Sequence, residues 1–235
     1  MVVESLFGAT SSARAFSRQD LSEKEVEAKF GGAPTWLTYG EFDLDGFFEL
    51  LRAAAPREGE TFVDVGSGCG RLVLAAALVH NWRACVGIEM LGDLHELATK
   101  SHTKLVAASA DLGLQLAPCE LVCDEADSAL PRALRGGGGD AAAVVFVYAT
   151  CWPSVGPHLT ALSETLAGAL PDGSRVITVD KQLVSDDASG GGGGGFAFDE
   201  LASFTLKNYN THQSSAWVYA FRRTGGAAEG GRNLS

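Results

Sequence analysis

Thr61-Phe62-Val63-Asp64-Val65-Gly66-Ser67-Gly68-Cys69-Gly70-Arg71-Leu72-Val73-Leu74 is the stretch that decides the fold. TFVDV is a short apolar run of buried-strand type, and RLVLAAALVHNW, beginning at Arg71, is an apolar run of helical length. Three glycines on alternate positions separate them. A chain that leaves a strand, reverses at once and opens a helix must adopt backbone angles that side chains disfavour. Such a turn also lets a ligand lie against bare backbone. In an α/β sheet this carboxyl end of a strand is where ligands bind.

Outward from that turn the chain alternates. Upstream, FDLDGFFELLRAAA carries apolar residues at helical spacing, behind a loop, GGAPTWLTYGE. Before the loop, SEKEVEAKF predicts a short polar helix, with Ser22 as N-cap and Glu25 three residues later. Downstream, RACVGIEM predicts a second strand and LGDLHELATKSHTKLVAASADLG a helix. CELVCD, AAAVVFVYA and SRVITVD predict three more strands with helices between them. This alternation implies a parallel sheet with helices on both faces. FAFDELASFTLKNY and SAWVYAFRR are two strands with no helix between them, so they predict a terminal antiparallel hairpin. The glycine runs Gly136–Gly139 and Gly190–Gly195 read as surface insertions, because ordering glycine is entropically costly and offers nothing to pack.

The expected fold class is therefore α/β, one Rossmann-like domain over residues 31–223. An N-terminal arm and short helix precede it (1–30), and a disordered tail follows (224–235). A chain of 235 residues, 46% hydrophobic, suits one well-buried domain. No apolar run approaches the ~20 residues that span a bilayer, so a soluble intracellular protein is expected, in cytoplasm or nucleus. The Ser-, Ala- and Arg-rich start MVVESLFGATSSARAFSR reads as a frayed arm, with an organelle leader as the alternative. Cys69, Cys85, Cys119, Cys123 and Cys151 are odd in number and scattered through apolar segments, which is the pattern of small buried residues in a reducing compartment. Cys119 and Cys123 lack partner ligands at zinc-like spacing, so no metal is expected. The formal net charge of −11 repels phosphate backbones, so no direct binding of free nucleic acid is expected. A basic protein is the partner that suits this charge.

Two cofactor classes compete for the glycine turn. The dinucleotide pattern G-x-G-x-x-G needs a glycine where this chain has Arg71; here Gly66, Gly68 and Gly70 complete G-x-G-x-G instead. Asp64, two residues before the first glycine, would also sit close to a pyrophosphate. S-adenosylmethionine (SAM) carries no phosphate, and its amino and sulfonium groups are cationic, so an acid is welcome. Glu89 and Met90 end the second strand, 25 residues after Asp64, where an acid can accept both ribose hydroxyls. An exposed strand-end carboxylate is the plainer alternative for Glu89. In LVCDEAD, Asp124 and Glu125 compete to accept from an adenine amine, and each is equally readable as a solvated loop acid.

These residues resemble class I SAM-dependent methyltransferases. The closest resemblance is to the non-SET histone-lysine methyltransferases of the disruptor-of-telomeric-silencing family, and it extends from about Trp36 to Arg222. Tyr39-Gly40-Glu41 resembles that family's loop closing over SAM. FVDVGSGCGRLVLAAAL resembles its glycine motif, with Arg71 where the family usually has glutamine. VGIEM is similar to its ribose-binding strand, and VVFV and LPDGSRVIT to its fourth and fifth strands. The resemblance implies a class I methyltransferase sheet closed by a hairpin, SAM as cofactor, and contacts from Tyr39, Glu41, Asp64, Gly66, Ser67, Gly68, Gly70, Arg71, Glu89 and Met90.

After VVFV that family has paired asparagines and an aromatic residue lining its lysine channel. This chain has Tyr148-Ala149-Thr150-Cys151-Trp152, and its 235 residues contain no dense basic run. Mitochondrial lysine methyltransferases with a D-x-G-S-G-x-G-R turn share Arg71 but not the Tyr-Gly-Glu loop. Tyr148, Thr150 and Trp152 are the expected acceptor-side residues; ordinary core packing is an equal alternative for Trp152, an alternative for Trp36 and the favoured reading for Trp217. The function expected from the resemblance is methyl transfer to a protein lysine. The alternatives are a small-molecule or other non-histone acceptor, or a SAM-binding protein without catalysis.

Overall fold

The structure, a computed structural model, describes residues 42–135, 141–186, 195–207 and 213–224. β1 (Thr61–Val65) is buried at every position, as a strand covered on both faces must be. It pairs in parallel with β2 (Ala84–Glu89) on one side and β4 (Ala143–Tyr148) on the other, so Asp64 stands beside both Gly87 and Phe146. β3 (Cys119–Cys123) lies outside β2 and β5 (Arg175–Val179) outside β4, both parallel. β7 (Ser214–Thr224) runs antiparallel against β5, and β6 (Gly195–Leu206) closes the sheet antiparallel to β7. The order β3-β2-β1-β4-β5-β7-β6 gives the five parallel strands and terminal hairpin that the alternation implied.

In this order the chain winds outward from β1 through β2 to β3, then returns to the other side of β1 for β4 and β5. The reversal falls between β1 and β4, and in open α/β sheets ligands bind at the carboxyl ends of the strands at such a switch point. Helices cover both faces. On one face α1 (Leu44–Ala53), α2 (Arg71–Val79) and α3 (Gly92–Leu112) bury Phe47, Leu74 and Leu105 against Phe62 and Phe146. Phe47 meets both ring edges in T-shaped contacts at 5.8 and 5.4 Å. On the other face α4 (Ala126–Arg135) and α5 (Thr160–Ala169) pack Leu130, Leu162 and Leu166 on Val63 and Val145. α1 starts at Leu44 because the Asp43 carboxylate accepts the Gly46 N–H, a side-chain N-cap. No helix among the described residues is long and apolar enough to cross a membrane.

The structure departs from the sequence reading at several ends. α2 stops at Val79, short of His80-Asn81-Trp82; the Trp82 indole N–H instead bonds back to the Ala76 carbonyl. Gly195 is no part of a surface insertion: it is the buried first residue of β6, paired with Thr224. β7 runs from Ser214 to Thr224, one residue beyond each end of the run SAWVYAFRR. Cys69 and Cys85 are buried, Cys119 is half-buried, and Cys123 is exposed because β3 is an edge strand. The predicted Ser22–Glu25 helix, the arm, Trp36, Gly136–Gly139, residues 190–194 and the tail from 225 lie outside the described residues.

A buried ion pair ties the amino ends of the strands to α1. Arg175, first residue of β5, donates from Nη1 to Glu60 Oε1 at 2.8 Å and from Nη2 to Glu60 Oε2. Its Nε donates to the Ala54 carbonyl at 2.9 Å. Burial pushes the Glu60 carboxyl up, but the hydrogen bonds from Arg175 and the Arg57 N–H, with the guanidinium charge, hold it below its ordinary value. The pair's contribution is thus present at neutral pH and fades as pH falls through the lowered value. Arg175→Ala strands a buried carboxylate and should cost about 3–5 kcal/mol in urea unfolding. Glu60→Leu with Arg175→Met should recover most of that loss. Equal losses in the single and double variants would mean that the pair is not what holds this end.

Candidate active site

The glycine turn is shaped by backbone geometry that the three glycines permit. Gly66, Gly68 and Gly70 have φ of 78°, 55° and 83°, all in the left-handed region. The Gly66 and Ser67 N–H groups both donate to the Ile88 carbonyl at the end of β2, at 2.8 and 2.9 Å. Gly70 adds a steric demand, since a Cβ there would lie 3.0 Å from the Ala98 Cβ on α3. Gly87 does the same from β2: a Cβ there would stand 2.9 Å from Ser67 Oγ. The sequence reading missed Gly87, because its role depends on a turn twenty residues away.

Two carboxylates back this turn. Glu89 is buried, and its Oε2 accepts the Gly68 N–H at 2.8 Å while Oε1 accepts the Leu91 N–H at 2.9 Å. It is therefore no loose strand-end acid. Asp64, 3% exposed, lies behind the turn. Burial, then the Glu89 charge, push its carboxyl up to about 8, against a hydrogen bond from the Val73 backbone in the first turn of α2. Asp64 has no ion pair among the described residues.

The remaining predicted cofactor residues are placed as follows. Met90 is half-buried just past β2. Arg71 opens α2, buried, with Nη1 donating to the Phe42 carbonyl at 3.3 Å. It thereby anchors the chain immediately after Tyr39 and Glu41, which themselves lie outside the described residues. Asp124 is linked to the end of β2 by its N–H, which donates to the Glu89 carbonyl at 3.1 Å. Its carboxylate accepts the Glu125 N–H at 2.8 Å and pairs with Arg132, whereas the Glu125 side chain is exposed.

Beside the turn stands the tip of β4. Tyr148 is half-buried, its ring 5.6 Å from Phe42. The chain then makes a 3₁₀ turn, Ala149–Cys151, which brings the half-buried Trp152 back toward β1: a Cβ on Gly66 would lie 4.0 Å from its indole nitrogen. Thr150 is exposed and donates to Asp180 Oδ2 at 2.6 Å, just past the end of β5. Lys181 donates to the Trp152 carbonyl. The structure thus brings Gly66 and Trp152 together and adds Asp180 and Lys181, which the sequence reading did not single out. Their only signal was position, directly after the strand run VITV.

Comparison with known proteins decides the family. The family described as histone methylation protein DOT1 matches residues 32–189, more than half of the chain. The chain belongs to the DOT1 family. It is a SAM-dependent methyltransferase on the class I fold. No curated protein matches the sequence. The DOT1-family chain is also similar to several solved structures. One is an RNA methyltransferase from Salinibacter ruber in complex with S-adenosyl-L-homocysteine, at 22% identity over 77% of this chain and 92% of that one, TM-score 0.47. Another is a SAM-dependent methyltransferase from Thiobacillus denitrificans, also with S-adenosyl-L-homocysteine, at 18% over 59% and 48%, TM-score 0.42. A third is precorrin 8W decarboxylase from Methanobacterium thermoautotrophicum, at 15% over 77% and 92%, TM-score 0.46.

The donor chemistry of the turn fits that cofactor. A pair of buried acids beside a bare-backbone turn suits a ligand with cationic groups and a diol, and would repel a diphosphate. The raised Asp64 carboxyl also contributes stability that declines as pH rises. A carboxyl held at about 8 when folded binds its proton more tightly than in the unfolded chain. Its stabilising effect is complete below about pH 4 and is lost progressively as pH rises through about 8. Relative to Asp64→Asn, the wild-type thermal midpoint should drop between pH 5 and pH 8 and level off above. A constant difference across that range would show that Asp64 is already ionised in the free protein.

Proposed function

We propose that this DOT1-family chain transfers the methyl group of SAM to a lysine side chain of a basic protein. The observation that carries the reading is the approach of Trp152, just past the tip of β4, to Gly66 in the acid-backed turn after β1, at the switch point of the sheet. SAM supplies a methyl group on a sulfonium, an electrophile that needs little covalent help. The chain's part is binding, alignment and exclusion of water. In this reading Glu89 and Met90 hold the ribose side, and the turn from Gly66 to Gly70, with Ser67 and Arg71, carries the body of the cofactor. Asp64 offsets its positive charge, and Asp124 or Glu125 accepts from the adenine amine. Tyr39 and Glu41 close over the methionine end. Tyr148 and Trp152 form apolar walls, which favour the neutral form of an incoming amine.

A second reading has a specific observation in its favour. The tip Tyr148-Ala-Thr-Cys-Trp152 lacks the paired asparagines of its relatives, which suits a non-histone or small-molecule acceptor. Incubation of the protein with tritiated SAM and cell lysate, fractionated into protein, nucleic acid and small molecules, separates the two. Label should enter protein. With 18 Lys+Arg against 29 Asp+Glu, free core histones should be methylated faster than nucleosomes, and the gap should widen at low salt, where charge repulsion by DNA reaches furthest. Label confined to small molecules would overturn the lysine reading. Nucleosome methylation strongest at low salt would overturn the charge argument.

A further inference from the structure

Asp180, just past the end of β5 and beside Thr150, is an acid that the cofactor reading leaves unused. Its φ of 68° puts a non-glycine side chain in the left-handed region, where aspartate is among the few residues tolerated. The surrounding structure imposes this conformation. The Asp180 N–H donates to the Ser215 carbonyl at 2.7 Å, continuing the β5–β7 ladder past Val179 and Ala216. The turn sends the carboxylate across to Thr150, whose hydroxyl donates to Oδ2 at 2.6 Å. Residues held in such backbone regions by their neighbours cluster at functional sites, which makes the use of this carboxylate a question with content.

Three further features define what it can bind. Asp180 is half-buried, so its charge is only partly screened by water. It makes no ion pair with any described residue, although an ammonium is adjacent in sequence: Lys181 instead donates to the Trp152 carbonyl. Its neighbours Thr150 and Trp152 belong to the acceptor side, and Trp152 reaches toward Gly66. A carboxylate oriented beside Thr150, with no ion-pair partner among the described residues, complements a cation and repels a phosphate.

We propose that Asp180 captures the ammonium group of the methyl acceptor, so that the site selects primary amines over neutral or anionic acceptors. The assignment deepens the protein-lysine reading and rests on it only for the amine's identity. A carboxylate stabilises the protonated amine, so it aids docking and does nothing to help the proton leave. The proton departs to solvent as the amine advances between Tyr148 and Trp152. Loss of Asp180 therefore shows in KM and scarcely in kcat.

The test removes the charge and keeps the shape. Asparagine tolerates the left-handed backbone and can still accept from Thr150, so Asp180→Asn isolates the charge. Wild type and variant, each saturated with S-adenosylhomocysteine, are titrated near pH 7 with n-butylammonium chloride and with 1-butanol, followed by amide chemical shifts. Butylammonium should bind wild type about tenfold more tightly than the variant, as expected for a hydrogen bond to a charged group. Butanol should not distinguish the two. With tritiated SAM and free core histones as acceptor, Asp180→Asn should raise KM about tenfold with kcat within about twofold, and Asp180→Glu should restore part of the loss. Butylammonium binding that is equal in both proteins, or absent in wild type, overturns the proposal. An unchanged histone KM in the variant does so as well. Charge-selective butylammonium binding without any histone labelling would support Asp180 and overturn the protein-lysine reading instead.

Discussion

The carboxylate of Glu89 joins the parts of the site that the fold brings close but does not itself connect. One oxygen accepts from Gly68 in the turn after β1, the other from Leu91 in the turn after β2. Each is a charge-assisted bond in a buried setting, about 1.5–3 kcal/mol by common experience. With Ile88 accepting from Gly66 and Ser67, the tip of β2 becomes the template on which the glycine turn is held open. The template has a cost. Asp64 is buried within reach of the same charge and cannot readily ionise beside it. A ligand with positive charge relieves that cost, so the free protein favours such ligands before any contact is counted.

Topology supplies the other half. Because the sheet reverses between β1 and β4, the turn after β1 and the tip of β4 lie side by side at the carboxyl ends of adjacent strands without any insertion. The 3₁₀ turn after β4 then folds Trp152 back toward Gly66, and Asp180 and Lys181 at the end of β5 fasten Thr150 and the Trp152 backbone. The turn after β1 rests on backbone N–H groups and buried acids, a design that tolerates little change. The tip of β4 presents side chains at a strand end, where substitution need not disturb the sheet.

What could be read in the sequence follows the same division. Strand TFVDV, the glycine turn and the alternation of strands and helices were legible because burial and period write them locally. The hairpin was legible from two strand runs without a helix between. The early stop of α2 was not, since it depends on the Trp82 indole reaching Ala76. Gly195 reads as loop inside a glycine run, and only its pairing with Thr224 makes it strand. In the site, Asp64 and Glu89 were legible as acids at strand ends, but the grip of Glu89 on two turns needed the register of β1 and β2. Gly87, Asp180 and Lys181 were illegible for the same reason: each acts on a partner distant in sequence. The structure engages the Asp124 carboxylate with Arg132 and leaves Glu125 exposed, a distinction that their adjacent positions could not make.

The central claim is that the acid-backed turn binds a cationic, phosphate-free nucleoside cofactor. Calorimetric titration of the purified protein with S-adenosylhomocysteine, SAM and NAD at one ionic strength tests it directly. The account predicts saturable heat from both sulfur compounds and none from NAD. Saturable NAD binding, with no heat from either SAM or S-adenosylhomocysteine, would contradict it.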